Sequence, residues 1–156
     1  MANDRFAAAL LAGFLLASCT PVPQQGAYTH PPYRQDIVPQ WVTLAWPKDD
    51  GCKAAAVSQT LVPGTLIDRF GDESGSYFSP KGESFGKRAL PYVCSQTAYT
   101  VYRVIRPLHV SSCEAVAWFG EPGGATQYKT DEPVSRLRKE GEIQTVADNV
   151  PPPCDN

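Results

Sequence analysis

Two stretches of this 156-residue chain gather residue types suited to holding a flat, charged small molecule. Residues 64–91, GTLIDRFGDESGSYFSPKGESFGKRALP, interleave four aromatic rings (Phe70, Tyr77, Phe78, Phe85) with four cations (Arg69, Lys81, Lys87, Arg88). Aromatic faces suit a heterocycle, and guanidinium groups grip a phosphate or carboxylate through paired hydrogen bonds. Residues 120–128, GEPGGATQY, place Gly123 and Gly124 where backbone can approach a ligand closely, and lead to the amide of Gln127. Each feature alone has a plainer reading. Phe70 and Phe78 suit a core, Gln127 suits a wet strand start, and a charged stretch is usually a solvated loop between two strands.

Other chemistries fit poorly. Gly82-Glu-Ser84-Phe-Gly86 matches the GxSxG spacing of a nucleophile elbow, but that elbow needs a strand before it and a helix after it. Ser79-Pro80 precedes it, and only Lys87-Arg-Ala-Leu separates it from Pro91. No acidic residue lies between Ser84 and His109, so the serine-acid-histidine order of such hydrolases is broken. The glycine loop lacks the Lys-Ser/Thr that a phosphate-cradling P-loop requires. Neither CxxC nor HxxxH spacing occurs, and the two histidines are His30 and His109, so no metal site is expected. A net charge of −2 gives no polyanion-binding surface, which argues against nucleic acid as a partner.

The elements that must position these residues read as mostly β. Thr65 to Phe70 begins the first stretch as a strand, and glycines at 71, 75, 82 and 86 with Pro80 break it into turns. Tyr99 to Arg106 is the strongest strand pattern, closed by Pro107. Trp41 to Trp46 and Glu114 to Phe119 are further strand candidates, and Lys53 to Gln59 suits one or two helical turns. Asp49-Asp50-Gly51 is a turn signal. Asp131-Glu132-Pro133 opens a short helix that Gly141 ends, and Glu142 to Val146 returns as a strand. The expected architecture is α+β, mostly β: one compact domain of about five short strands with one or two short helices.

Residues 1–18 read as an export signal, with Arg5 ahead of the apolar run Phe6 to Ala17, too short to span a bilayer. Leu16-Ala-Ser-Cys19 fits a lipobox, in which Cys19 receives lipid, and a plain secretory cleavage near Ser18 is the alternative. The mature chain would be secreted or held at the membrane by its lipid alone. Residues 19–40, rich in Pro and Gln, read as a tether, leaving 41–156 as the folded domain. Apart from Cys19 the cysteines are Cys52, Cys94, Cys113 and Cys154, an even number in an oxidising compartment. Two disulfides are therefore expected, in any of three pairings.

Three segments in order carry a family resemblance. GTLIDRFGDESGSYFSPKGESFGKRALP resembles the signature DRFG…G.Y.SP.G..F..RALP of the tuberculosis necrotizing toxin (TNT) family of NAD glycohydrolases. Tyr102 to Val110 is similar to that family's Y.V..PL.V strand, and Trp118 to Tyr128 to its WFGQPGGG.QY loop. The resemblance covers residues 61–146. It implies a β-rich domain that hydrolyses NAD, and NADP, to nicotinamide and ADP-ribose, with the dinucleotide as substrate and no cofactor. Carried over by position, Arg69, Arg88 and Gln127 are implied as catalytic, and Phe70, Phe78, Gly123 and Gly124 as substrate-binding. A separate immunity protein is a candidate partner. Two positions depart from the pattern: Glu121 stands for the family's Gln, and Ala125 for its third glycine, where an alanine disfavours φ > 0. Ala125 motivates one rival expectation, a surface lipoprotein that keeps the fold but not catalysis. The tether and lipobox motivate another, an inhibitor or structural protein of the envelope.

Overall fold

The chain is described by a computed structural model at residues 33, 34, 36 and 44–154. The export signal, Cys19, most of the tether and Trp41–Thr43 lie outside the described residues. Seven strands form one antiparallel sheet: β1 (Val57–Leu61), β2 (Leu66–Phe70), β3 (Tyr77–Pro80), β4 (Tyr99–Val104), β5 (Leu108–Glu114), β6 (Thr126–Lys129) and β7 (Ile143–Thr145). Their order across the sheet is β1-β5-β6-β3-β2-β4-β7. One helix, α1 (Val134–Lys139), precedes β7.

The mostly-β class agrees with the sequence reading, with seven strands in place of five. The residues expected to start a helix at 53–59 instead end as β1, where Val57, Thr60 and Leu61 suit an extended chain and pair with β5. Glu114–Phe119 is not a strand. Only Glu114 closes β5, Ala115 makes a single bridge to Cys52, and Phe119 and Gly120 turn the chain at positive φ. Leu44–Trp46, the described part of the first strand candidate, is likewise irregular. β3 lies inside the stretch read as a long loop, because its four residues are too few to show a period.

The sheet buries one face along most of its width and the other face over β2 and β4. Ile67, Phe78, Tyr102, Val104, Leu108, Val110 and Ile143 pack on one face, closed by Val134 and Leu137 of α1. On the other, the 81–98 loop lies over β2 and β4, with Phe85 edge-on to Phe70 at 4.9 Å. The cysteines pair as Cys52–Cys113 and Cys94–Cys154, resolving the open pairing. The second bridge ties the C-terminal tail to the 81–98 loop.

A buried ion pair fixes that loop. Asp68 of β2 is fully buried and accepts hydrogen bonds from Gly82 N at 2.8 Å and the Tyr99 hydroxyl at 2.7 Å. Its Oδ1 lies 2.6 Å from Arg88 Nη1, an ion-pair contact whose angles are not those of an aligned hydrogen bond. Arg88 Nε and Nη2 both donate to the Glu83 carbonyl, at 3.1 and 2.7 Å. Removing one partner strands a charge in the interior. Arg88→Ala should therefore cost about 3–5 kcal/mol of unfolding free energy, measured by urea denaturation.

Candidate active site

The register of β3 opens a cleft. Its last two residues pair with β2 (Ile67↔Pro80, Asp68↔Ser79), and its first two pair with β6 (Tyr77↔Lys129, Phe78↔Tyr128). Pro80 has no N–H to extend a ladder. The strands part where Arg69 and Phe70 leave β3, and a cleft of about 510 Å³ lies there. Arg69, Phe70, Tyr77, Phe78, Arg88 and Gln127 all line it, with Trp46, Tyr92, Trp118 and Phe119.

Arg69 spans the parted strands. Its Nη1 donates to the Tyr77 carbonyl at 2.9 Å and its Nε to the Asp72 carbonyl at 2.8 Å. Burial pulls its pKa down, but a guanidinium stays charged at neutral pH. The cation is held by carbonyl dipoles on the cleft wall. Arg88 contrasts with it: its charge is matched by Asp68, its Cζ lies 5.1 Å from the Phe70 ring centroid, and its guanidinium is built into the 81–90 turn. Phe70 and Phe78 are at once core residues, 5% and 2% exposed, and parts of the cleft wall.

Gln127 stands on β6 opposite Cys113. Its Nε2 donates to the Asp50 carbonyl at 3.0 Å and lies 3.8 Å from Cys113 Sγ and 4.0 Å from Cys52 Sγ. The disulfide thus packs against the amide. A second, more polar hollow of about 560 Å³ lies on the far side, lined by Asp49, Lys53, Ser111, Lys129 and Asp131. Asp50 and Gln127 line both hollows and form the partition between them.

Gly123 and Gly124 are not among the residues lining the cleft. Gly123 has φ +68, and a Cβ there would lie 2.6 Å from Ala117 N and 2.7 Å from the Ala115 carbonyl, so only glycine fits. Gly124, at φ +94, completes the turn and donates to the Ala115 carbonyl at 2.8 Å. These two bring Ala125 into the wall. Ala125 is not among the residues with positive φ, is 1% exposed, and donates to the Lys87 carbonyl at 2.9 Å. The loop therefore needs no third glycine. Glu121, the other departure, ion-pairs with Arg34.

Reading the sequence for chemistry passed over Asp50, Trp46 and Trp118, and counted Tyr77 only as a ring. The Tyr77 hydroxyl donates to Asp50 Oδ1 at 3.0 Å, and Lys129 Nζ sits 2.8 Å from Asp50 Oδ2 and 5.6 Å from the Tyr77 ring centroid. Burial and then the bond to Asp50 raise the Tyr77 pKa, and the Lys129 ammonium holds the Asp50 carboxyl below its usual range. Asp49-Asp50-Gly51 had announced only a turn. All three residues are left-handed, at φ 52, 56 and 81, a backbone that costs about 1–2 kcal/mol at each non-glycine position.

An antiparallel sheet opened by a split strand, with a cation, aromatic walls and an amide on the opening, defines a β-rich domain built around a ligand cleft. The sequence profile of the family described as Tuberculosis necrotizing toxin (TNT) matches residues 60–146. The chain belongs to this family. The conidial surface nicotinamide adenine dinucleotide glycohydrolase nadA of Aspergillus fumigatus is 29% identical over 149 residues. That alignment takes in 91% of this chain, and the chain spans 59% of the length of the fungal protein. The structure of tuberculosis necrotizing toxin complexed with its immunity factor superimposes with a TM-score of 0.56 at 21% identity, covering 64% of this chain and 60% of the toxin chain.

Two substitutions test this geometry. A Cβ on Gly75 would lie 2.1 Å from Arg69 Nη2. Gly75→Ala should push the guanidinium off its carbonyls at a cost of about 1–3 kcal/mol, read as a shift of the Arg69 Nε–H resonance and in denaturant unfolding. Ala125→Gly should bring no gain: loss of about 0.5–1 kcal/mol is expected, through the added freedom of the unfolded chain.

Proposed function

We propose that this protein is an exported glycohydrolase that cleaves NAD, and NADP, to nicotinamide and ADP-ribose. One observation carries the reading. Three separate blocks mark the family resemblance, and residues from the first and third lie together on one cleft. Kinship with the fungal NAD glycohydrolase supports it.

The chemistry suits these residues. Nicotinamide bonded to ribose is already cationic, so it departs without a general acid. The protein has to hold the dinucleotide, favour an oxocarbenium-like transition state and admit water on one face. Ordinary glycosidases place two carboxylates about the bond for this purpose. This cleft presents a cation, rings and an amide, and its two carboxylates are engaged in the wall: Asp50 by the Tyr77 hydroxyl and Lys129, Asp72 by the Ser74 N–H. Arg69 holds a phosphate oxygen, and Phe70 and Phe78 pack beside the nicotinamide ring. Arg88, its charge matched by Asp68, acts in this scheme by shaping the wall. Gln127, tied through Nε2, offers Oε1 to a ribose hydroxyl or to the attacking water, an orienting role.

Export follows from the leader, and a lipid on Cys19 would keep the enzyme at the membrane. The tuberculosis necrotizing toxin was solved in complex with an immunity factor, and an immunity protein as a partner of this chain belongs to the same proposal.

The test is NAD consumption and nicotinamide release by the oxidised protein. Wild type should release nicotinamide, and Gln127→Ala should fold normally and lose about a hundredfold or more in kcat. A variant with near-normal turnover would remove Gln127 from the mechanism. A well-folded wild type that leaves NAD intact would overturn the reading.

A further inference from the structure

The family match begins at residue 60, yet residues 60–146 do not close the cleft alone. Trp46, Pro47, Asp50 and Gly51 form part of its wall. Among them, Asp50 touches two residues of the cleft, Tyr77 and Gln127, and Lys129 of the neighbouring hollow. Its carbonyl accepts Gln127 Nε2 at 3.0 Å, and its carboxylate takes the Tyr77 hydroxyl at 3.0 Å and Lys129 Nζ at 2.8 Å.

Two left-handed aspartates and a glycine form a turn closed by Gly51 N donating to Lys48 O at 2.9 Å, a backbone open to few residue types. The turn is clamped on both sides. Gly51 O accepts Val116 N at 2.8 Å, Lys53 N donates to Glu114 O at 2.8 Å, and Cys52 forms a β-bridge with Ala115. The covalent clamp is Cys52–Cys113, and Cys113 is the register partner of Gln127. One disulfide therefore fixes both ends of the Gln127–Asp50 hydrogen bond. On the outer side, Trp118 Nε1 donates to Ala45 O at 2.8 Å, and Trp46 packs edge-on against Phe119 at 5.6 Å.

We propose that Asp50 is a positioning residue for the reaction at Gln127, and that the disulfide-clamped segment 45–52 is an integral part of the site although it lies outside the family region. The Asp50 carbonyl sets the direction of the Gln127 amide, and its carboxylate sets the Tyr77 phenol. Without the carboxylate, the turn loses its anchors to Tyr77 and Lys129 and relaxes from the left-handed region. The Gln127 amide then turns with it. Asparagine tolerates that backbone and keeps an acceptor for Tyr77, so it should substitute well. The inference rests on the glycohydrolase reading for its kinetic arm only.

The experiment uses the full chain with both disulfides formed, as wild type, Asp50→Ala and Asp50→Asn. Two readouts accompany NAD kinetics: the Gln127 side-chain amide resonance, assigned with Gln127→Ala, and the Tyr77 ring titration, assigned with Tyr77→Phe. Asp50→Ala should lower kcat about ten- to a hundredfold with KM little changed. It should also move the Gln127 amide resonance and lower the Tyr77 pKa, because the hydrogen bond that raises it is gone. Asp50→Asn should recover most of kcat. Full kcat in Asp50→Ala, or an unmoved Gln127 resonance, overturns the proposal. Equal loss in Asp50→Asn and Asp50→Ala also overturns it, since position would then not be what Asp50 supplies. If wild type leaves NAD intact, the glycohydrolase reading falls and the resonances decide alone. A moved Gln127 signal upholds the coupling to Asp50, and an unmoved one overturns it.

Discussion

The buried pair Asp68–Arg88 is the constraint on which the cleft depends. A carboxylate with no exposed surface is expensive unless charge and hydrogen bonds surround it, and Asp68 has both. Satisfying it forces the chain from Lys81 to Leu90 to fold over β2, because Gly82 N and the Arg88 guanidinium must both reach one side chain. That fold carries Phe85 onto Phe70 and places Arg88 beside the Phe70 ring. It also sets the Lys87 carbonyl where Ala125 N can reach it, joining the first block to the glycine loop. One polar centre thus links regions about forty residues apart in sequence.

The same reasoning separates the two arginines. Both lie in the same stretch and both suit a phosphate on paper. Arg69 has its charge against carbonyl dipoles, whereas Arg88 has its charge against a carboxylate and its other donors on the Glu83 carbonyl. The Asp72 carboxylate also acts on Arg69, so neither guanidinium is a free cation, and Arg88 is the one in direct contact with a fully buried carboxylate. Equal residue types in one stretch are therefore engaged differently, by what each must satisfy when no ligand is bound.

Much of this was legible in the sequence. The DRF segment announced β2, the β-branched and aromatic run at 99–106 announced β4, and the Pro133 start and Gly141 stop framed α1. The first and third family blocks hold residues that meet at the cleft. What stayed hidden has physical causes. β3 is four residues long and changes partner midway, so no periodicity betrays it. Lys53–Gln59 reads as one or two helical turns, yet pairing from Val57 onward with β5 draws the chain out. Disulfide pairing is a matter of distance in space, which spacing in sequence does not carry. Gly123 looked like a place for a ligand to approach, and its missing Cβ instead makes room for the backbone of Ala115–Ala117.

Asp50 exposes a further limit of reading by motif. A family region records the residues that recur together, and here that record runs from 60 to 146. Folding obeys a different boundary, set by which groups must be covered and bonded. Gln127 lies within the record, but the carbonyl that receives its amide lies ten residues before it begins. Glu121 shows the same dependence: its charge at the glycine loop is matched by Arg34, further upstream still. The strained backbone at Asp49–Gly51 persists because the Cys52–Cys113 bond and the Asp50 contacts together over-determine it, the condition under which strain survives in a native state. The unit that can hold an amide in one orientation beside the cleft is therefore the clamped segment and the recognised region together.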